Sequence, residues 1–157
     1  VAEANRLRAD LPPDVQATLL QHEQDGTTDS PAYQEAMQPY YARHVMRLPD
    51  MPDFVLRSFE AISPEVYVTM NGPSEFHCIG TLKDWDISER LGEIRLPTLL
   101  LSGRYDEATP TVMAQVRDGI AGAEWTIFEQ SSHMSHVEEE SLWMPLVNGW
   151  LARHDQG

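Results

Sequence analysis

Up to about residue 90 the apolar positions recur at helical intervals and are interrupted by prolines. "VAEANRLRAD" has helical composition and stops before Leu11-Pro12-Pro13. "PPDVQATLLQHEQDG" opens on a proline suited to a first turn, spaces Val15, Leu19 and Leu20 on one side, and ends at Gly26. "SPAYQEAMQPYYARHVMRL" starts with Ser30 as N-cap and Pro31 behind it, and its internal Pro39 predicts a kink or a split. "DFVLRSFEAI" and "SPEVYVTMNG" predict two further short helices, the second capped by Ser63 and stopped by Gly72. Met37, Met46, Met51, Met70 and Met134 are expected to pack this region and its floor. Short helices of this kind form a poor core alone and suit a lid. The helices before about residue 90 are therefore expected to lie over something else.

After residue 90 the pattern changes. "LPTLLLSG" is a continuous apolar run bounded by Pro97 and Gly103, which predicts a strand buried on both faces. "TPTVMAQVRDGIAG" predicts a helix, and "AEWTIFEQ" a second strand through Trp125, Ile127 and Phe128. "EEESLWMPLVNGWLARHD" predicts a closing amphipathic helix carrying Leu142, Leu146, Val147 and Leu151. Strand, helix, strand, helix implies a right-handed crossover and a parallel sheet. A parallel sheet is covered on both faces, and two strands do not suffice for one. The fold class expected is α/β, with 86–157 the C-terminal part of a larger core.

Composition narrows the function classes. The 157 residues carry a net charge of −14 with a pI near 4.6, a field that disfavours nucleic acid and anionic membranes. Cys78 is the only cysteine, so an internal disulfide and a cysteine-rich zinc cluster are excluded. No apolar run has the length of a membrane helix, and the first residues do not read as a secretory signal. A cytoplasmic protein is expected. The start at "VAEANRLRAD", without Met, is read as a processed or trimmed piece.

Reactive groups in open α/β sheets collect beyond the carboxyl ends of the strands. Asp106 follows "TLLLSG" there, and His133 follows "WTIFEQ". Alone, the first reads as a loop-capping acid and the second as a surface histidine. Together, at two strand ends 27 residues apart, they favour an Asp–His catalytic pair. His133-x-x-His136 with Glu138 lacks the helical His-Glu-x-x-His spacing and is not read as a metal site. His22, His44, His77 and His154 read as structural or exposed, and Glu138-Glu139-Glu140 as a solvated helix start. No phosphate loop or dinucleotide fingerprint is present, and no cofactor is expected.

"VYVTMNGPSEFHCIGTLKDWDI", "PTLLLSGRYDEATP" and "SSHMSHVEE", in that order, resemble the proline iminopeptidase family of α/β-hydrolases, serine aminopeptidases that include tricorn-interacting aminopeptidases and amino-acid amidases. The likeness runs over about Pro64–Leu151 and more loosely before it. It implies that Asp106 is the triad acid and His133 the general base, and that residues 1–85 are the all-helical cap inserted into the hydrolase domain, ahead of the core portion 86–157. It further implies that Glu75, of Gly-Pro-x-Glu-Phe, and Glu107, beside Asp106, bind the substrate's free α-amino group. Tyr67, eight residues before Glu75, reads equally as a lining residue of the same pocket and as a plain core tyrosine. Two carboxylates around one ammonium restrict a site to free amino termini, the mark of an exopeptidase.

One departure from the family is decisive for this chain. The nucleophile elbow Gly-x-Ser-x-Gly is absent: Ser102-Gly103 lacks the upstream glycine, and Ser131 and Ser132 directly precede the proposed base. The fold's chain order is Ser, acid, His, so the serine and the oxyanion hole are expected upstream of Val1. The expected partner is thus the N-terminal fragment of the same hydrolase, and the chain alone is expected to be inactive. The expected substrate is a short peptide or amino-acid amide with a free amino terminus. A general esterase or amidase, and a non-catalytic hydrolase-like binding module, stand as alternatives.

Overall fold

The computed structural model describes residues 2–155. The backbone divides into two units, Val1–Ala42 with Leu48–Trp85, and Arg43–Arg47 with Asp86–Gly157.

The first unit is built from α1 (Ala2–Arg8), α2 (Pro13–Asp25), most of α3 (Pro31–His44), α4 (Asp53–Glu60) and α5 (Pro64–Met70). Their ends follow local chemistry. Pro13 opens α2, where its missing N–H is not needed, and Gly26 closes it at φ 68°, a left-handed conformation that glycine adopts without strain. The Ser30 hydroxyl accepts the Tyr33 N–H at 3.2 Å, and Ser63 caps α5 through the Val66 N–H. Of the kink or split expected at Pro39, the split does not occur: α3 runs through it as one helix. Tyr33, Ala36, Met37 and Tyr40 on both sides of it are buried, and packing of that face outweighs one lost backbone bond.

Leu7, Leu11, Leu19, Tyr33, Met37, Tyr40 and Phe76 form the core of this unit. Fully burying such side chains contributes about 1.5–3 kcal/mol each. Inside it lies a buried ion pair, Arg8 to Glu23 at 2.9 Å, with the Arg8 guanidinium 5.0 Å from the centre of the Phe76 ring. Desolvating the two charges offsets most of their attraction, so the pair adds little net stability. By contrast, α4 buries only Val55 and α5 buries nothing. Met37 and Met46 are buried as expected, but Met51 and Met70 are exposed. Val66, Tyr67 and Val68 are consecutive on a seven-residue helix, and side chains 100° apart cannot share one inward face.

In the second unit a 3-10 helix (Ser88–Glu93) leads to β1 (Leu99–Gly103), α6 (Pro110–Gly119), β2 (Glu124–Phe128), the short α7 (Ser135–Glu138) and α8 (Glu140–His154). β1 and β2 are parallel, in register from Leu99 opposite Glu124 to Gly103 opposite Phe128, with α6 as the crossover. The strand expected to be buried on both faces is only half-buried over Leu99–Leu101, because β2 is its sole neighbour among the described residues. α8 likewise buries no residue; Leu142, Met144 and Leu151 are exposed. Among the described residues no helix is long and apolar enough to cross a membrane.

Arg43–Arg47 belongs to the second unit. Its carbonyls at His44 and Val45 accept the N–H groups of His133 and Met134, both at 3.2 Å, which ties it to the loop after β2.

Candidate active site

The register of the two strands brings their carboxyl ends level, and the loops that follow run side by side. The Arg104 N–H donates to the Phe128 carbonyl at 2.9 Å and the Tyr105 N–H to the Ser131 carbonyl at 3.0 Å, so the pairing continues past the strands. Gly103 permits this approach. A Cβ there would stand 2.2 Å from the Ser132 carbonyl oxygen and 2.3 Å from that of Ser131, well inside contact distance. Asp106 and His133 are delivered to the same edge. Asp106 is buried, 5% exposed, and its Oδ1 accepts the Ala108 N–H at 2.8 Å and the His133 Nδ1–H at 2.9 Å.

A carboxylate can only accept, so this bond fixes the proton of neutral His133 on Nδ1 and makes Nε2 the acceptor nitrogen of the ring. The His133 side chain is 53% exposed while its partner is buried. Such a pair is chemically able to work as a general base oriented by an acid.

The turn that carries His133 is fastened by two acids. The Glu138 carboxylate accepts the Ser132 N–H at 2.8 Å and its hydroxyl at 2.9 Å, and also the Arg47 N–H at 2.7 Å. Glu139 accepts the Gln130 N–H at 3.0 Å and the Ser131 hydroxyl. Of the run expected to be a solvated helix start, only Glu140 is exposed; Glu138 serves the N–H and hydroxyl of the buried Ser132, and Glu139 the hydroxyl of the buried Ser131 and the Gln130 N–H. His44 does comparable work from the 43–47 segment, donating from Nδ1 to the Tyr105 carbonyl at 2.9 Å, with the Arg47 guanidinium 3.8 Å from the centre of the Tyr105 ring. Glu107, next to Asp106, is half-buried.

Glu75 and Tyr67 meet in the first unit. Ser74 and His77 form an antiparallel bridge that turns the chain, and Glu75 stands on that turn. The Tyr67 hydroxyl donates to Glu75 Oε1 at 2.6 Å, and Asn71 Nδ2 donates to the Tyr67 oxygen at 3.1 Å. An apolar cavity of about 420 Å³ adjoins them, lined by Ile62, Val66, Met70 and Leu82 as well as Tyr67, Asn71 and Glu75. The sequence-predicted residues thus form two groups, Asp106 with His133 and Glu107 on one unit, Tyr67 with Glu75 on the other. Asn71, Glu138, Glu139 and the 43–47 segment escaped sequence reasoning. Only Asn71 left a signal there, its spacing of four from Tyr67 on a helical stretch.

No family model matches the chain. It is 39% identical over 152 residues to a proline iminopeptidase of Saccharolobus solfataricus, covering 96% of this chain and 49% of that protein. The crystal structure of VinJ superposes on 98% of the chain and 52% of its own, with a TM-score of 0.93 and 44% identity. That of a proline iminopeptidase of Mycobacterium smegmatis gives a TM-score of 0.84 and 38% identity over the same shares. The chain spans about half the length of the relatives it matches. Over nearly its whole length it is homologous to the proline iminopeptidases, and its fold is that of the C-terminal portion of an α/β-hydrolase.

Proposed function

We propose that the full-length protein is a serine aminopeptidase that releases an N-terminal residue, proline or another apolar one, from short peptides or amino-acid amides. The observation that carries the reading is the buried Asp106 bound to His133 across the ends of two parallel strands. The names of its relatives support the peptidase class. The nucleophile in this reading is a Gly-x-Ser-x-Gly serine on the N-terminal portion of the same hydrolase, which also supplies the oxyanion hole. Its Oγ attacks the first carbonyl as His133 Nε2 takes its proton, and Asp106 stabilises the imidazolium so formed. His133 then protonates the leaving amine, and water attacks the acyl-enzyme with His133 again as base. Residues 1–157 without that portion are inactive. A cytoplasmic location belongs to the same reading.

Glu75 and Glu107, with Tyr67 beside the first, hold the substrate's α-ammonium. They take no part in bond making and act by binding and positioning. The test is kcat/KM for a free and an N-acetylated amino-acid amide in the full-length protein. Glu75→Gln and Glu107→Gln should each lower the value for the free amine by roughly ten- to a hundred-fold, the loss of one charge-assisted hydrogen bond. The acetylated substrate has no charge to lose and should be less affected. Equal losses on both would remove the ammonium role and leave a general esterase or amidase.

A further inference from the structure

We propose that Asn71 is a positioning residue for Glu75: it holds the Tyr67 hydroxyl oxygen in place, and that hydroxyl, donating to the Glu75 carboxylate, sets it for an ammonium. The inference rests on the reading of Glu75 as an ammonium ligand.

It follows from counting protons. Asn71 Nδ2 lies 3.1 Å from the Ser74 carbonyl oxygen and 3.1 Å from the Tyr67 hydroxyl oxygen. A carbonyl can only accept, so the amide edge facing it is the NH₂ group, which settles the orientation of the side chain. Its two N–H bonds are then both used, one on Ser74 and one on Tyr67. A phenol has a single proton. Asn71 donates to the Tyr67 oxygen and so does not compete for that proton, which the Glu75 carboxylate accepts at Oε1, 2.6 Å away. The chain runs one way, amide to phenol to carboxylate.

The same counting anchors the backbone of Glu75. Tyr33 donates its one proton to the Glu23 carboxylate at 3.1 Å, so the Ser74 hydroxyl donates to Tyr33 across 3.2 Å, while its oxygen accepts the His77 N–H. Tyr33 and Ser74 are fully buried, and Phe76 at 1% exposure packs edge-on to Tyr40 at 4.8 Å. Ser74 and Phe76 therefore clamp Glu75 from both sides along the chain, and Asn71 with Tyr67 sets its side chain. Asn71 is itself held, its N–H donating to the Tyr67 carbonyl at 2.8 Å and its carbonyl accepting the Gly80 N–H at 2.9 Å. It is a fixed point from which to orient a neighbour.

The test uses the full-length protein and the ratio of kcat/KM for a free over an N-acetylated amino-acid amide. Asn71→Leu keeps the branching at Cγ and removes both donors; Asn71→Ala serves where the larger Leu impairs folding. Either should lower the ratio about two- to ten-fold, the worth of an ordinary hydrogen bond. In a Tyr67→Phe background the same substitution should leave the ratio unchanged, since Asn71 acts through that hydroxyl. Equal losses on both substrates, or the same drop in the ratio with and without the Tyr67 hydroxyl, would reduce Asn71 to a structural cap of α5 and overturn the proposal. Glu75→Gln, run in parallel, separates the two readings. If it lowers the ratio and Asn71→Leu does not, only the positioning role falls; if it too leaves the ratio unchanged, the ammonium role falls and this inference with it.

Discussion

At the scale of single residues, the side chains expected to matter differ in how much of their behaviour is local. Asp106 is buried yet satisfied by the Ala108 N–H and by His133, so its removal leaves a histidine with no fixed tautomer. Asp106→Asn in the full-length protein should therefore keep the fold and lower kcat by about 10⁴-fold, and His133→Ala should be at least as severe. Near-normal turnover of either variant would remove that residue from the mechanism. Tyr33 makes a second prediction. Burial is the main cause that pushes its hydroxyl up to about 12, with the Glu23 charge acting in the same direction and the Ser74 hydrogen bond opposing it. An unfolded tyrosine ionises near about 10. Below that pH the group is neutral in both states and its contribution is complete. Above it the unfolded chain loses the proton first, so stability falls as pH rises and the contribution is gone beyond about 12. Denaturant unfolding of the full-length protein between pH 9 and 12 should show this decline, and Tyr33→Phe should flatten it. Parallel declines in the two proteins would locate the sensitivity elsewhere.

At the scale of elements, the decisive contact is the backbone approach between the end of β1 and the 131–132 turn. Neither strand is unusual by itself; their register and the missing Cβ of Gly103 bring the two loops together. Gly103→Ala should force the Ser131 and Ser132 carbonyls away, at a cost of about 1–3 kcal/mol in unfolding free energy. Because that turn leads into His133, kcat should fall in the same variant with KM less affected. Unfolding in denaturant gives the first quantity and steady-state kinetics the second. A variant with parent-like values for both would show that the turn yields freely. The 43–47 segment matters at this scale too. It leaves α3 and supplies carbonyls and a histidine to the loops that hold Asp106 and His133, although nothing in its own pattern announces the role.

For the whole molecule, the second unit has one pair of strands with half-buried leucines, and a closing helix that buries no residue. Leu96, Leu142 and Leu151 are exposed, as is much of α4 and α5. Apolar surface on this scale is normally covered. In the proposed enzyme the N-terminal portion covers the part that belongs to the sheet. Residues 1–157 purified alone should accordingly melt without a sharp cooperative transition, followed by circular dichroism and tryptophan fluorescence together. A single coincident two-state transition would count against this view of the sheet.

The sequence by itself determined what depends on neighbours along the chain. Helix starts at Ser30 and Ser63, the stop at Gly26, and the two strands with their crossover follow from capping, glycine conformation and apolar periodicity. The strand-end positions of Asp106 and His133 were legible for the same reason, since parallel strands joined by a crossover level their carboxyl ends. Tertiary structure alone decided that α3 runs unbroken through Pro39, because buried residues on both sides compensate the lost bond. It alone made Glu138 and Glu139 supports for the histidine turn, and Asn71 a donor to Tyr67 and Ser74. Such roles depend on which unsatisfied backbone and side-chain groups arrive nearby in space, and no local pattern of hydrophobic and polar residues encodes that arrival.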